Sequence, residues 1–144
     1  MFVVLDTNHF TELALGSRLG KRLSERIGAR GADVFSCMVA AEESLQGWIA
    51  FIRKHPAGRE QVQGYSRLQS CLQALATLTI LPFDREASDR FHNLQSRHRR
   101  SGTMDLKIAA ICIVHDATLL TRNVGDFEGL DDLRVENWLD SAEL

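Results

Sequence analysis

At 144 residues the chain has the length of one ordinary folding domain, and enough residues to bury its own core. Hydrophobic residues make up 44% and charged residues 25%, an ordinary soluble mixture, and the net charge of −2 gives no overall electrostatic pull toward nucleic acid. The three cysteines, Cys37, Cys71 and Cys112, lie far apart among apolar neighbours, which excludes a disulfide framework and suits buried thiols in a reducing compartment. The apolar run Met1–Leu5 stops at Asp6, too short for a signal-peptide core, and Ile108–Val114 falls far below the ~20 residues a membrane span needs. The expectation is a soluble, cytoplasmic protein with no membrane partner.

Taken in chain order, Phe2–Leu5 reads as a short buried strand, β-branched and apolar. A helix follows from Thr7 to Leu15, ended at Gly16, and a second from Ser17 to Ile27, with Gly28 as its stop. Val34–Cys37 is the next strand, followed by a helix from Val39 to Lys54 that His55-Pro56-Ala57-Gly58 breaks. A further helix covers Glu60–Ala76, with Val62, Tyr65, Leu68, Leu72 and Leu75 as its apolar stripe. Leu78–Leu81 is a third strand, and Asp84 caps a helix reaching Arg97. Thr103 caps the next helix, Met104–His115. Thr118–Thr121 and Arg134–Glu136 complete the strands, and Trp138 is expected on the core.

Strands alternate with helices and no hairpin signal joins two of them, so the fold class is α/β with a mainly parallel sheet of four or five strands. No repeat or linker divides the sequence, and residues 1–144 read as one domain. Ligands of open parallel sheets bind beyond the carboxyl ends of the strands. Four acids fall there: Asp6 directly after the first strand, Glu43 with its neighbour Glu42 at the start of the third helix, Asp105 in the first turn of the helix near Thr103, and Asp126 beyond the fourth strand. Singly, Asp105 reads as a helix-terminus acid, Glu42 or Glu43 as a solvent-facing one and Asp126 as a turn residue. Jointly they read as a carboxylate cluster. Such a cluster repels itself unless cations neutralise it, and hard ions such as Mg²⁺ or Mn²⁺ prefer oxygen ligands. Held there, such an ion suits phosphodiester hydrolysis, whereas the spacing of a zinc site is missing.

These residues resemble the PIN-domain nucleases, in particular the VapC-like toxins of type II toxin–antitoxin modules. The resemblance runs through Val4-Leu5-Asp6-Thr7-Asn8, then Val39 to Gly47 with Glu43 four residues before the glycine, then Asp105 to Ala110 and Leu120-Thr121-Arg122-Asn123 to Asp126-Phe127. It implies a three-layer α/β/α sandwich and a Mg²⁺- or Mn²⁺-dependent endoribonuclease. Asp6, Asp105, Glu43 and Asp126 would serve as metal-binding and catalytic residues, and Asn8, Thr121 and Asn123 as supporting polar residues. It also implies RNA as substrate, a cognate antitoxin protein as partner and a homodimer. The Gly47 spacing favours Glu43, but a helical wheel does not separate it from Glu42. Phe10, Leu13 and Leu15 read either as part of an antitoxin groove or as ordinary core. The segment from Pro56 to Thr77 reads as an added helix for dimerisation or substrate contact.

Arg97, Arg99 and Arg100 stand just before the Asp105 helix, where they read either as RNA-phosphate contacts or as a solvated face. Two rival functions remain. A phosphatase with Asp6 as covalent nucleophile calls for a second Asp two residues later, where Asn8 stands. A catalytically silent PIN-like module that binds RNA or protein is the other, and the four filled acidic positions weigh against it.

Overall fold

The computed structural model describes residues 1–140, so the last four residues of the expected domain lie outside the described residues. The strands are β1 (Phe2–Leu5), β2 (Asp33–Cys37), β3 (Thr79–Leu81), β4 (Thr118–Leu120) and β5 (Arg134–Glu136). They form one sheet of order β3-β2-β1-β4-β5 in which each neighbouring pair is parallel. The helices are α1 (Thr7–Leu15), α2 (Arg18–Arg30), α3 (Met38–Arg53), α4 (Val62–Leu75), α5 (Arg85–Arg97) and α6 (Thr103–Val114).

Central β1 shows why three layers form. Val3, Val4 and Leu5 have no exposed surface, and successive strand side chains point to opposite faces. Val4 joins a core with Phe91 and Leu94 of α5 and Leu106 and Ile111 of α6. Val3 and Leu5 join a second core with Phe10 of α1, Leu23 of α2, Cys71 and Leu75 of α4, and Trp138. Helix α6 is apolar almost all round, as a helix buried on most sides must be, and Leu106 and Ile108–Cys112 are all buried. The three cysteines are free thiols, all buried. The protein is thus a three-layer α/β/α sandwich. Among the described residues no helix is long and apolar enough to cross a membrane.

Four local expectations need correction. Helix α2 does not stop at Gly28 but runs to Arg30, and the turn falls on Gly31, whose left-handed φ of 57° lets its N–H reach the carbonyls of Ile27 and Gly28. Two good helix formers, Ala29 and Arg30, carry the helix past the first glycine. The helix after the Pro56 break begins at Val62 rather than Glu60, because Arg59–Gln61 forms a separate 3₁₀ turn. Gln61 there donates from Nε2 to the carbonyls of Ile52 (2.8 Å) and His55 (3.2 Å), satisfying the end of α3. The buried face of α4 runs through Gly64, Cys71 and Leu75, whereas Val62, Tyr65 and Leu72 of the expected stripe point to solvent. Gly64 sets that rotation, since a Cβ there would meet Ile52 Cγ1 at 2.6 Å and so the helices pack closely. Finally, Gly102 rather than Thr103 precedes α6, and its carbonyl takes the Leu106 N–H at 3.0 Å.

Candidate functional site

The sheet order reverses beside β1: β2 and β3 extend one side, then the chain returns to lay β4 and β5 on the other. A crevice opens beyond the carboxyl ends of strands at such a point. Asp6 occupies it. Its main-chain N–H bonds the Leu120 carbonyl of β4 at 2.9 Å, so the residue is still tied to the sheet as α1 begins. As the extended residue before the helix, it accepts the Thr7 N–H on Oδ1 at 2.8 Å. Its Oδ2 accepts the Thr121 hydroxyl at 2.8 Å. Thr121, wholly buried just past β4, also accepts the Asn123 N–H on that hydroxyl at 3.1 Å. Both Asp6 oxygens are therefore held, and only 9% of the residue is exposed.

Glu43 sits in the second turn of α3, half-buried, and its Oε2 accepts a long 3.5 Å bond from the Thr7 hydroxyl. Burial pushes its carboxyl above the usual range, and the charges of Asp6 and Asp105 push it further, while the Thr7 bond works the other way. Asp105, in the first turn of α6, is raised by burial first, then by Asp126 and Asp6. These influences place all four acids within one electrostatic neighbourhood. Asp126 itself is exposed, in the 3₁₀ turn Val124–Phe127 after β4. Glu42 is also exposed and has only the smallest influence on Glu43, so the inward-facing glutamate of the pair is Glu43.

Among the described residues, no three His, Cys, Asp or Glu side chains stand in an arrangement that encloses a metal ion. The chemistry of the donors nevertheless suits a hard dication. All are carboxylates, two resist ionisation because of burial and then of their acidic neighbours, and Mg²⁺ ordinarily keeps several waters on only one or two protein carboxylates. A cluster too open to wrap an ion directly is compatible with such a hydrated one.

The supporting residues divide. Thr121 anchors Asp6 through its side chain, and Asn123 contributes its main-chain N–H to Thr121. Asn8 is exposed on the first turn of α1, and among the described residues no side-chain hydrogen bond joins it to the acids. Arg97, Arg99 and Arg100 lie at and beyond the end of α5, lining a surface recess of about 410 Å³ with His98 in the segment leading into α6. Arg97 bonds Asn93 Oδ1 at 2.8 Å along its own helix. Phe10 is buried in the core, while Leu15 is 46% exposed. Sequence reasoning passed over Thr7, which bonds Asp6 through its N–H and Glu43 through its hydroxyl. Its position as the first residue of α1, directly after the strand-ending Asp6, was the available signal.

A comparison with curated proteins finds no match. Among solved structures, the chain is similar to one in VapBC2 from Rickettsia felis bound to a DNA fragment from the promoter, with TM-score 0.72, 23% identity, and 96% of this chain and 99% of that chain covered. It is similar also to one in VapBC-1 from nontypeable Haemophilus influenzae, with TM-score 0.70, 21% identity, and 96% and 98% covered. FitAcB from Neisseria gonorrhoeae gives TM-score 0.68, 23% identity, and 96% and 99% covered. At these identities the likeness shows a shared fold. The sequence itself matches a family model, described as PIN domain, over residues 3–133, and the chain belongs to that family.

Proposed function

We propose that the chain is a Mg²⁺- or Mn²⁺-dependent endoribonuclease and the toxin of a toxin–antitoxin pair. One observation carries the nuclease reading: four carboxylates from separate elements share the sheet's switch point, and two of them are pushed toward protonation, first by burial and then by the other acids. Repulsion of that kind is costly to keep unless a cation offsets it. The toxin role draws support from the solved complexes of shared fold, which are described as VapBC or toxin–antitoxin assemblies. By the same analogy the partner is a cognate antitoxin, and the family resemblance adds a second copy of the chain and the cytoplasm as its place.

In this reading Asp6 and Asp105 would hold the ion, with Glu43 and Asp126 binding it directly or through water. A bound divalent ion supplies a more acidic water and offsets charge on a phosphoryl oxygen. The chain's own part is positional. Thr7 and Thr121 fix the Asp6 carboxylate, Asn123 and Asn8 support the rim, and Glu43 and Asp126 accept protons or orient water. Arg97, Arg99 and Arg100 hold the RNA backbone next to α6. The test is cleavage of total RNA with Mg²⁺ or Mn²⁺, with EDTA and Asp6→Asn as controls. Cleavage abolished by both controls is expected, and equal cleavage by wild type and Asp6→Asn would remove the support.

A second reading, a catalytically silent PIN-like module that binds RNA or protein, is favoured by the open arrangement of the acids. Calorimetry that finds no Mg²⁺ or Mn²⁺ uptake would select it.

A further inference from the structure

Beside the acids lies a pocket of about 270 Å³ between α1 and α3, walled by Thr7, Thr11, Glu43, Gly47, Trp48 and Phe51. We infer that it receives one unstacked nucleobase of the RNA strand flanking the cut, so that Gly47 and Trp48 set the sequence preference of cleavage. The inference rests on the ribonuclease reading above and names the substrate feature that reading leaves open.

Helical periodicity builds the pocket. Glu43, Gly47 and Phe51 stand at i, i+4 and i+8 along one ridge of α3, with Trp48 on the next, while Thr7 and Thr11 stand at i and i+4 on α1. The same ridge that offers a carboxylate to the acid cluster therefore offers, one and two turns on, a gap and an aromatic ring. Trp48 and Phe51 meet edge to face with centroids 6.0 Å apart, and both are only partly buried. Part of each ring is left to face a ligand.

Gly47 is the independent observation. It lies in the interior of a sixteen-residue helix, where glycine is among the poorest choices. A Cβ built there meets nothing within 4 Å, so packing within the chain does not require the glycine either. What its absent side chain leaves free is the pocket. A ligand lying close over the α3 backbone accounts for the residue.

The size and walls select the occupant. The volume is below the ~300–1,000 Å³ of pockets for drug-sized ligands, which leaves room for a single flat heterocycle. Aromatic faces are the usual platforms for unstacked RNA bases, and Thr7 and Thr11 give the walls two polar side chains. Because Glu43 and Thr7 belong to the pocket and the acid cluster alike, an occupant here sits next to a phosphodiester at the acids.

The experiment uses the full chain and a single-stranded RNA hexanucleotide. With the Asp6→Asn chain, the hexanucleotide is expected to quench tryptophan fluorescence, and to fail to do so when Trp48→Phe is added. In the cleaving chain, Gly47→Leu and Trp48→Ala are expected to raise KM roughly 10- to 100-fold, the scale of one lost base stack, and to erase base preference at one position beside the cut. Trp48→Phe should retain most of both. Circular dichroism confirms that each variant is folded, and leucine is a good helix former at an unobstructed site. Unchanged KM and cleavage pattern in Gly47→Leu overturn the assignment. So does a Gly47→Leu chain that cleaves as wild type yet no longer takes up its co-expressed antitoxin, which would assign the pocket to a protein side chain. If the wild type cleaves no RNA but quenching persists and Gly47→Leu abolishes it, the nuclease reading fails while the base pocket stands.

Discussion

The hydroxyl of Thr121 donates a 2.8 Å hydrogen bond to Oδ2 of Asp6, joining residues 115 positions apart across the β1–β4 junction. Because Thr121 is wholly buried, the bond is shielded from water and fixes one of the two carboxylate orientations Asp6 could take. Thr121→Val keeps the shape and removes the donor. It should lower RNA cleavage and metal affinity about 10- to 100-fold, the usual effect of losing a partner behind a metal-binding carboxylate. Stability should fall by about 1–3 kcal/mol, since an acceptor and the Asn123 N–H both lose their partner. Thr121→Ser should restore most of the activity. Calorimetric titration with Mn²⁺ beside initial cleavage rates separates a binding defect from a folding one.

The raised carboxyls of Glu43 and Asp105 make a second prediction, and its sign follows from linkage. A carboxyl whose folded-state pKa lies above its unfolded value binds more protons when folded. Its contribution to stability is therefore lost as pH rises from the ordinary carboxylate range through the raised value. At neutral pH the metal-free cluster is destabilising. Mg²⁺ or Mn²⁺ should then raise Tm at pH 7, by less as the pH is lowered toward 4. Glu43→Gln and Asp105→Asn should each raise the metal-free Tm and shrink the metal response, whereas exposed Glu42→Gln should leave both unchanged. Cleavage should fall at least ~100-fold in Glu43→Gln, as expected for a group acting on the reacting atoms. Thermal melts in EDTA and in metal decide the matter. A Glu42→Gln chain that behaves like Glu43→Gln would contradict it.

The alternation of strands and helices carried the layer order, because the period-2 burial of Val3, Val4 and Leu5 and the apolar girth of α6 are written in residue type. Asp6, directly after β1, and Asp126, in the turn after β4, could be located from the strand ends for the same reason. What escaped was decided by partners distant in sequence. The orientation of α4 was misjudged because Val62, Tyr65 and Leu72 are more apolar than Gly64, yet the contact with Ile52 rewards the smallest residue there. The part of Thr7 depends on how α1 meets α3, and no spacing within either helix reports that, whereas Glu43 was already favoured over Glu42 by its spacing to Gly47. The choice between Gly28 and Gly31 turned on which glycine takes the left-handed conformation, a local balance both positions satisfy in sequence.

Two glycines of α2 should respond in opposite directions. Gly28 is exposed in the last turns of the helix and a Cβ there meets nothing within 4 Å. Gly28→Ala should stabilise by about 0.5–1 kcal/mol by improving helix propensity and restricting the unfolded chain. At Gly20 a Cβ would stand 1.9 Å from the Glu12 carbonyl oxygen of α1, and a backbone atom cannot swing aside. Gly20→Ala should cost about 1–3 kcal/mol, in the range of overpacked sites, because α1 and α2 must separate. Since Asp6 caps the start of α1, that variant should also reduce cleavage. Urea melts of the two variants, compared with wild type, check both signs.

His9 carries the last prediction, away from the metal chemistry. It is wholly buried, and its Nε2 accepts the main-chain N–H of Trp138 at 3.1 Å, so the ring is the neutral form with its proton on Nδ1. That Nδ1 has no partner among the described residues. A second proton would turn Nε2 into a donor facing the Trp138 N–H. Burial accordingly lowers the pKa to about 4, against the opposing pull of Asp140 and with some help from Arg122. The unfolded chain, with histidine near 6.5, then binds more protons than the folded one between those two values. Stability from this residue is full above pH 6.5 and is lost as pH falls toward 4, by up to about 3 kcal/mol. This slope is opposite to that of Glu43 and Asp105, so single variants are needed to separate the two. His9→Gln, whose amide oxygen can still take the Trp138 N–H, should flatten the acid limb of a stability–pH curve. A proton NMR titration that finds His9 titrating near 6.5 in the folded chain would show instead that the ring is open to water.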